Sequence, residues 1–399
     1  MKIAQRISRL GTETAFEVLA EVNRLKAEGR DIVSFSIGEP DFDTPAHIKE
    51  AAKQALDENY THYNPSNGLP EFRQAIAEDT MKMRPGFECT PDEVVVCPGA
   101  KPIMFHTILA VVDEGDEVVY PSPGFPIYES MANFIGARPV PYPLVEEKGF
   151  SLDVDDLARR VTDRTALIII NSPQNPTGGV LDAEALQRVA ELARRHDCWV
   201  LSDEVYNRMA WDGEFRSVAQ LPGMKERTVI LDGCSKTYAM TGWRLGWGVM
   251  PLELATHIAR LITNSDSCTC TFNQRAAVQA LRGPTDEVEK MMAEFRARRE
   301  VVVDGLNDID GVSCVKPAGA FYVFPNVTGA CRKLGLQNAK ELAHYLLHQA
   351  GVAVLPRTCF GAPLPGEEQQ YIRLSYATGQ EQIREGIKRM KRAIENPGR

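Results

Sequence analysis

The sequence lacks the features that mark membrane and secreted proteins. Its densest apolar string, residues 166–170 of a 399-residue chain, is much shorter than the roughly 20 residues that a membrane-spanning helix needs. The N-terminus has no apolar run of the signal-peptide type, and no repeat or low-complexity stretch occurs. We therefore expect a cytoplasmic protein that does not bind membranes.

The chain also lacks an excess of positive charge and any paired-cysteine motif. Its net charge of −9 argues against nucleic acid as a partner, because a protein that binds the phosphate backbone needs a positive face. A local basic site for a small anion stays possible. The nine cysteines include no C-x-x-C pair, and Cys268 and Cys270 have no histidine nearby. We predict reduced, mostly buried thiols and no metal site.

What the sequence does contain is an alternation of short apolar runs with amphipathic helical stretches. Strands are predicted at residues 94–96, 117–120, 166–170, 199–202, 228–231 and 245–250. Continuous apolar runs separated by helices are typical of a mainly parallel sheet that is covered on both faces. After about Leu252 the pattern changes to longer helices with a few strands, which could form a smaller α+β domain.

A lysine in an unusual setting follows the predicted strand 228–231. Lys236 comes directly after Ser235 and shortly before Arg244. Lysine is the usual Schiff-base former once its surroundings lower its pKa, and the hydroxyl and guanidinium groups beside it could bind the phosphate of an aldehyde cofactor. A lone lysine is far more often a solvated surface charge, so this interpretation depends on partners elsewhere in the chain.

A carboxylate and a tyrosine follow the predicted strand 199–202. A nearly buried Asp203 would need a cationic partner, and a protonated pyridine nitrogen would serve. Holding that nitrogen protonated makes the ring an electron sink for a carbanion at the α-carbon of a substrate. Tyr206 could donate a hydrogen bond to the phenolic oxygen of the same ring. The alternative is that Asp203 caps a helix, which is common.

Two further loops follow predicted strands. Asn175, in the Asn-Pro-Thr-Gly loop, offers an amide to a ligand, although asparagine before proline is also common in plain turns. The turn at residues 98–101 precedes a helix whose free N–H groups could bind an anion, although an ordinary strand-to-helix turn explains it equally. Open α/β sheets bind ligands at the carboxyl ends of their strands, where all these residues fall.

Taken together, these segments resemble the fold-type I, class I/II aminotransferases, which depend on pyridoxal 5′-phosphate. The resemblance covers nearly the whole chain and is carried by motifs at residues 36–42, 63–73, 175–178, 202–206, 235–246 and 371–376. It implies an α/β fold whose large domain, residues 46–284, has a mainly parallel seven-stranded sheet flanked by helices. Both termini, residues 1–45 and 285–399, would form the smaller α+β domain.

The resemblance also implies a role for each residue around the cofactor ring. Lys236 would form the Schiff base and then shuttle the proton between the substrate's α-carbon and the cofactor. Asp203 would pair with the pyridine nitrogen, and Tyr206 and Asn175 would bind the ring oxygen. Phe125 would stack on the ring, although from the sequence alone a core aromatic is the favoured interpretation.

The remaining implied roles concern the phosphate, the substrate and a second subunit. The phosphate would be held by backbone amides and two side chains, those of Ala100, Lys101, Ser235 and Arg244. Arg373 would bind the substrate's α-carboxylate through two parallel hydrogen bonds, and Gly38 would let the backbone approach that carboxylate. Tyr63 would reach the phosphate of the neighbouring subunit, so that a homodimer shares its active sites.

Two positions depart from the pattern of many relatives. Gly233 stands where a hydroxyl residue is common, so we expect the phosphate to have one ligand fewer. Arg357 stands where many relatives have glycine, and arginine does not easily adopt a positive φ. Either this arginine lies near the substrate's side chain or it faces solvent.

The predicted function is an aminotransferase that moves an amino group between an L-amino acid and a 2-oxo acid by ping-pong chemistry. The same cofactor residues would also serve a C–S β-lyase, which is the first alternative. The second is a non-catalytic ligand sensor of the aminotransferase-like kind, against which the retained Lys236 argues.

Overall fold

The computed structural model describes residues 1–397 and confirms the α/β fold. Its helices are α1 (Ala15–Ala27), α2 (Ala46–Asp57), α3 (Pro70–Met83), α4 (Lys101–Val111), α5 (Ile127–Ile135), α6 (Val154–Arg160), α7 (Ala183–Arg195), α8 (Cys234–Thr237), α9 (Leu252–Ser265), α10 (Thr271–Arg282), α11 (Asp286–Asn307), α12 (Thr328–Leu334), α13 (Ala339–Tyr345) and α14 (Gln380–Glu395). Within residues 1–397, no helix combines the length and the apolar character that crossing a membrane requires.

The strands form one large sheet and two small ones. They are β1 (Val33–Ser34), β2 (Val94–Cys97), β3 (Glu117–Ser122), β4 (Arg138–Val145), β5 (Ser151–Leu152), β6 (Thr165–Asn171), β7 (Trp199–Asp203), β8 (Thr228–Gly233), β9 (Gly246–Val249), β10 (Tyr322–Val323), β11 (Val352–Ala353), β12 (Leu355–Pro356) and β13 (Ile372–Ser375). The large sheet has the order β2-β9-β8-β7-β6-β3-β4-β5. Its central strands are parallel, and β9 and β5 run antiparallel to their neighbours.

The prediction of seven strands is therefore wrong by one. The additional strand is β5, which has two residues and pairs with the end of β4. A strand this short leaves no periodic pattern in the sequence, so it could not be recognised there. The buried strands β6 and β7 match the predicted runs closely. Both faces of the sheet are covered by helices, so the residues that point to either face are apolar and the strand is a continuous apolar run.

Strand β4 also escaped prediction, because its sequence Arg-Pro-Val-Pro-Tyr-Pro-Leu-Val has proline at alternate positions. Proline cannot donate to a sheet and is confined to edge strands. β4 pairs along most of its length with β3 alone and meets β5 only at Leu144 and Val145. Alternate residues direct their N–H groups to the same side, so the three prolines leave the open side of β4 without donors.

The smaller sheets are formed by segments far apart in the sequence. β1 pairs with β11 in parallel, and β13 lies between β10 and β12 in an antiparallel sheet. Helices α11 and α14 pack against this region through a core that includes Phe295, Phe321 and Ile383. The domain boundaries at residues 45/46 and 284/285 stay a prediction. All nine cysteines are free, and all but Cys268 and Cys270 are buried, as the sequence predicts.

One edge of the large sheet collects the polar residues. β3, β6, β7 and β8 are parallel, and β2 points the same way because it is antiparallel to β9, which is antiparallel to β8. The carboxyl ends of these five strands therefore lie at one edge. This geometry brings together the loops that follow β2, β3, β6, β7 and β8.

Candidate active site

A cavity of about 430 Å³ lies at this edge of the sheet. Every predicted site residue except Tyr63 lines it, namely Gly38, Ala100, Lys101, Phe125, Asn175, Asp203, Tyr206, Ser235, Lys236, Arg244 and Arg373. Residues from both ends of the chain and from the central sheet thus meet in one place. The spatial clustering predicted from the order of the motifs is present.

Lys236 lies in the short helix α8, directly after β8. Its Nζ donates a hydrogen bond to the backbone oxygen of Gly38 at 2.5 Å. No carboxylate in residues 1–397 forms an ion pair with this amine, and burial lowers its pKa to about 8. At pH 7 about a tenth of the amine is then neutral, against less than about a thousandth for an ordinary lysine. The position therefore favours a nucleophilic amine.

Asp203 is the last residue of β7, and its carboxylate is buried. Tyr128 donates a hydrogen bond to Oδ2 at 2.6 Å, and the backbone N–H of Val205 lies 3.5 Å from Oδ1. Among the described residues no cation pairs with this carboxylate, and burial raises its pKa to about 6. Asp203 is not a helix cap; it is an acid that stays mostly ionised at pH 7 without a counter-ion.

The loop after β6 is fixed by Asn171, which sequence reasoning did not single out. Its side-chain N–H donates to the backbone oxygen of Asp203 at 2.9 Å, and its Oδ1 accepts from the N–H of Asn175 at 3.0 Å. The side-chain amide of Asn171 thus links the backbone of Asp203 to the loop that carries Asn175. Asn175 in turn accepts a hydrogen bond from Arg373 at 3.1 Å.

Two tyrosines and a glycine close one wall of the cavity. The hydroxyls of Tyr206 and Tyr322 lie 2.8 Å apart, and both rings are buried. A Cβ on Gly38 would lie 2.1 Å from the hydroxyl of Tyr322, so only glycine fits here. Tyr322 was not predicted, because a tyrosine in a two-residue strand gives no sequence signal.

The N-terminus of α4 forms a second wall. Its N-cap residue, Ala100, offers no side chain to the first N–H groups of the helix. Gly99, with φ +87°, lets the guanidinium of Arg244 approach, because a Cβ there would lie 2.1 Å from Nη2. Free N–H groups beside a guanidinium and the hydroxyl of Ser235 provide a site for a phosphate.

Arg373 lies in β13 and is buried. Its guanidinium donates to Asn175 and to the backbone oxygen of Ser36, and its Cζ lies 4.6 Å from the ring centroid of Tyr322. Its Nε has no hydrogen-bond partner within the described part of the chain. A buried, unpartnered donor on a planar guanidinium is what a carboxylate ligand requires.

The outer part of the cavity holds Phe125, Lys101 and Glu13. The ring of Phe125 is half-buried and packs on the core while also lining the cavity, so the favoured interpretation as a plain core aromatic was incomplete. The Nζ of Lys101 lies 5.2 Å from the centroid of this ring and forms an ion pair with Glu13. The side chain of Lys101, and not only its backbone, therefore belongs to the site.

The charges around the cavity oppose the net charge of the chain. Four cations line it, Lys101, Lys236, Arg244 and Arg373, against three carboxylates, Glu13, Glu39 and Asp203. The chain as a whole carries −9. The cavity is thus a local basic site that suits a small anion with several negative groups.

Two of the residues discussed from the sequence lie outside the cavity, and the role of Tyr63 towards a partner subunit stays a prediction. Tyr63 is 91% exposed and does not line the cavity of its own chain. Arg357 is 2% exposed, so the suggestion that it faces solvent is wrong, and it does not line the cavity either. It has an ordinary negative φ and forms an ion pair with Glu367 at 2.8 Å.

Comparison with known proteins agrees with this site. The model of the family described as aminotransferase class I and II matches residues 30–390. A probable aspartate/prephenate aminotransferase of Aquifex aeolicus is 43% identical over 98% of both chains, and an aspartate aminotransferase of Bacillus subtilis is 37% identical over 99% of both. The solved structure of the Thermus thermophilus aspartate aminotransferase with maleate has a TM-score of 0.92 at 35% identity, covering 98% of this chain and 99% of that one.

Proposed function

Because the chain belongs to the class I and II aminotransferases and uses pyridoxal phosphate, we propose that it transfers the amino group of L-aspartate to a 2-oxo acid with a second carboxylate. The aminotransferase reaction itself follows from the family and from relatives similar over nearly the whole chain. The choice of a dicarboxylic substrate is supported by the names of these relatives and by the charges of the cavity.

The residues of the cavity fit pyridoxal phosphate. The buried carboxylate of Asp203 lacks a cation, which the protonated ring nitrogen would supply. The uncapped start of α4, with Arg244 against Gly99, would hold the phosphate. The amine of Lys236, with its lowered pKa, would hold the aldehyde carbon. When bound, the cofactor supplies an electron sink for the substrate's α-carbon and carries the amino group between the two half-reactions.

Each side chain then has a distinct task. Lys236 Nζ would take the proton from the α-carbon of the amino acid and deliver it to the former aldehyde carbon of the cofactor, since its pKa of about 8 lies near neutral pH. Asp203 would keep the ring nitrogen protonated, and Tyr206 and Asn175 would hold the ring oxygen. Arg373 would bind the α-carboxylate with its guanidinium, whose Nε the described part of the protein leaves without a partner. The single observation that carries the proposal is that one cavity brings together the amine of Lys236, the buried carboxylate of Asp203 and the guanidinium of Arg373.

Two assignments reach beyond a single subunit. Tyr63 is almost fully exposed, and we assign it to the phosphate of a partner subunit in a homodimer. Tyrosine hydroxyls are suitable donors to phosphate oxygens. The enzyme would act in the cytoplasm, where its amino-acid and oxo-acid substrates are small and soluble.

The distal carboxylate of aspartate is assigned to the ammonium of Lys101. Of the four cationic side chains in the cavity, those of Lys236, Arg244 and Arg373 have tasks, and that of Lys101 has none. Its Nζ already pairs with the carboxylate of Glu13, so a carboxylate of the substrate could take that place. An amino acid with an apolar side chain could not replace this interaction.

Trapping of the covalent lysine tests the reaction assignment. The cofactor-loaded enzyme is reduced with borohydride, digested and mapped, and the adduct is expected on Lys236. The Lys236→Ala variant should lose turnover by at least a factor of about 10² while still binding the cofactor. Mapping of the adduct to another lysine contradicts the assignment.

A comparison of amino donors tests the substrate assignment separately. The first half-reaction is followed by the absorbance of the cofactor with L-aspartate and with L-alanine. We expect kcat/KM for aspartate to be at least about tenfold higher, since a charge-assisted hydrogen bond to the second carboxylate is lost with alanine. Lys101→Met should remove this preference without affecting alanine. Equal rates for both donors in the unmodified enzyme would show that the substrate is not dicarboxylic.

A further inference from the structure

Arg357 is a buried cation whose hydrogen bonds are complete. Its Nε and Nη2 donate to the two oxygens of Glu367 at 2.8 and 3.0 Å. Its remaining N–H groups donate to Ser122 Oγ at 2.9 Å and to backbone oxygens of the loop that follows, including that of Gly361 at 2.8 Å. A guanidinium with no free donor and no position in the cavity is unsuited to bind a ligand. Its role must lie in what it connects.

The hydrogen bonds of Arg357 connect the loop at residues 357–367 with the large sheet. Ser122 ends β3, three residues before Phe125, and the loop contributes Phe360, Gly361 and Glu367. A backbone hydrogen bond at 3.0 Å from Gly124 to the oxygen of Phe360 reinforces the link. Arg357 donates to the same Phe360 oxygen at 3.3 Å. The backbone of Phe360 is thus fixed from the sheet and from Arg357 together.

Phe360 connects this link to the substrate. The Cζ of Arg373 lies 5.0 Å from the ring centroid of Phe360, and the Phe360 ring is buried. Arg357 directly follows β12, which is paired with the strand that carries Arg373, since Leu355 of β12 pairs with Arg373 of β13. The guanidinium of Arg373 therefore lies near an aromatic ring whose own backbone oxygen accepts a hydrogen bond from Arg357.

We propose that Arg357 and Glu367 are positioning residues for substrate binding, which hold Phe360 against Arg373 and so fix the geometry of the carboxylate-binding guanidinium. This inference rests on the proposed role of Arg373. A planar guanidinium with five donors suits the task, because it fixes several backbone oxygens at once, whereas an ammonium could not. Loosening the loop should weaken the ground-state binding of carboxylates more than it slows the chemistry.

The test compares variants of the cofactor-loaded enzyme. Glu367→Gln keeps the shape of the side chain and removes its charge. Arg357→Lys keeps the charge and removes the planar set of N–H donors that binds both oxygens of Glu367. We expect both variants to weaken maleate binding, measured by calorimetry, and to raise KM for aspartate by about tenfold, with kcat within about threefold. The affinity for pyridoxal phosphate should stay within about twofold. In a double-mutant cycle, Glu367→Gln should add little to Phe360→Leu, because both act through the same ring.

A matched pair elsewhere provides the control. Arg299 binds the two oxygens of Asp212 at 2.6 and 3.0 Å, and neither residue lines the cavity. Asp212→Asn removes a comparable charge and should leave maleate affinity within about twofold. Unchanged maleate affinity in both Glu367→Gln and Arg357→Lys overturns the proposal, as does an equal loss in Asp212→Asn or full additivity with Phe360→Leu. Arg373→Lys tests the role of Arg373 separately from that of Arg357 and Glu367. Unchanged maleate affinity in this variant overturns the assignment of Arg373 as the carboxylate-binding residue.

Discussion

Tyr128→Phe is a direct test of how the protein controls the charge of Asp203. The mutation removes the hydroxyl that donates to Oδ2 at 2.6 Å and leaves the ring in its buried place. The pKa of Asp203 is already raised to about 6, chiefly by burial, and the hydrogen bond from Tyr128 opposes that rise. A hydrogen bond to a charged group contributes about 1.5 kcal/mol or more, which corresponds to about one pKa unit. We therefore expect the pKa to rise to about 7.

The expected consequence is a pH-dependent loss of cofactor affinity. Only the ionised carboxylate attracts the protonated ring nitrogen, so affinity is present above the pKa of Asp203 and falls as the pH drops through it. At pH 6 about half of the unmodified protein carries the charge, against about a tenth of the variant, while at pH 8 both are mostly ionised. The dissociation constant for pyridoxal phosphate should thus be about fivefold higher in the variant at pH 6 and nearly equal at pH 8.

The assay is an equilibrium titration of the cofactor-free protein with pyridoxal phosphate at both pH values, followed by absorbance. Groups on the cofactor titrate in the same range, but their effect cancels in the ratio between variant and unmodified protein. Tyr142→Phe is the control, because that buried hydroxyl donates to the neutral backbone oxygen of Ile169 at 3.1 Å. A ratio for Tyr128→Phe that is the same at pH 6 and pH 8 would refute the reasoning.

Three further outcomes are expected. Arg84 Nε donates to the buried carboxylate of Glu204 at 2.8 Å, and Arg84→Met leaves that carboxylate without its cationic partner. The free energy of unfolding in urea should therefore fall by about 3–5 kcal/mol, and a loss below about 1 kcal/mol contradicts this. Gly38→Ala should raise KM for aspartate by at least about tenfold, because its Cβ would collide with the hydroxyl of Tyr322, and unchanged KM would mean that this wall can move. Tyr63→Phe should weaken pyridoxal phosphate binding by about tenfold without dissociating the proposed homodimer in sedimentation, whereas unchanged affinity would exclude Tyr63 from the phosphate site of a partner subunit.

The sequence was sufficient to predict the parts of the site that depend on local chemistry and chain order. Asp203 ends the buried strand β7 and Lys236 follows the buried strand β8, and parallel strands place their carboxyl ends at one edge, so their meeting could be expected. Tyr128 and Tyr322 could not be found in this way. Tyr128 acts through its hydrogen bond to Asp203 and Tyr322 through its contacts with Tyr206, Gly38 and Arg373, and no spacing rule links such positions.

The fold shows the same division. The strands with continuous apolar residues were predicted almost to their ends, because burial on both faces dictates their composition. β4 was missed because its prolines are typical of a loop, and only its place beside β3 explains why they are tolerated. Arg357 was considered only as a surface or substrate-facing residue, since its partner Glu367 lies ten residues further along an irregular loop that carries no periodic signal.

The prolines of β4 also limit how this protein can associate with itself. An exposed sheet edge invites a strand from another molecule, and such pairing can continue into aggregates. A strand from another molecule would meet backbone carbonyl acceptors but no N–H donors at the three proline positions of β4, and β5 already pairs with the end of β4. Extension of the sheet across molecules is therefore blocked on this flank. A dimer of this chain is therefore not expected to form by the addition of a strand to β4.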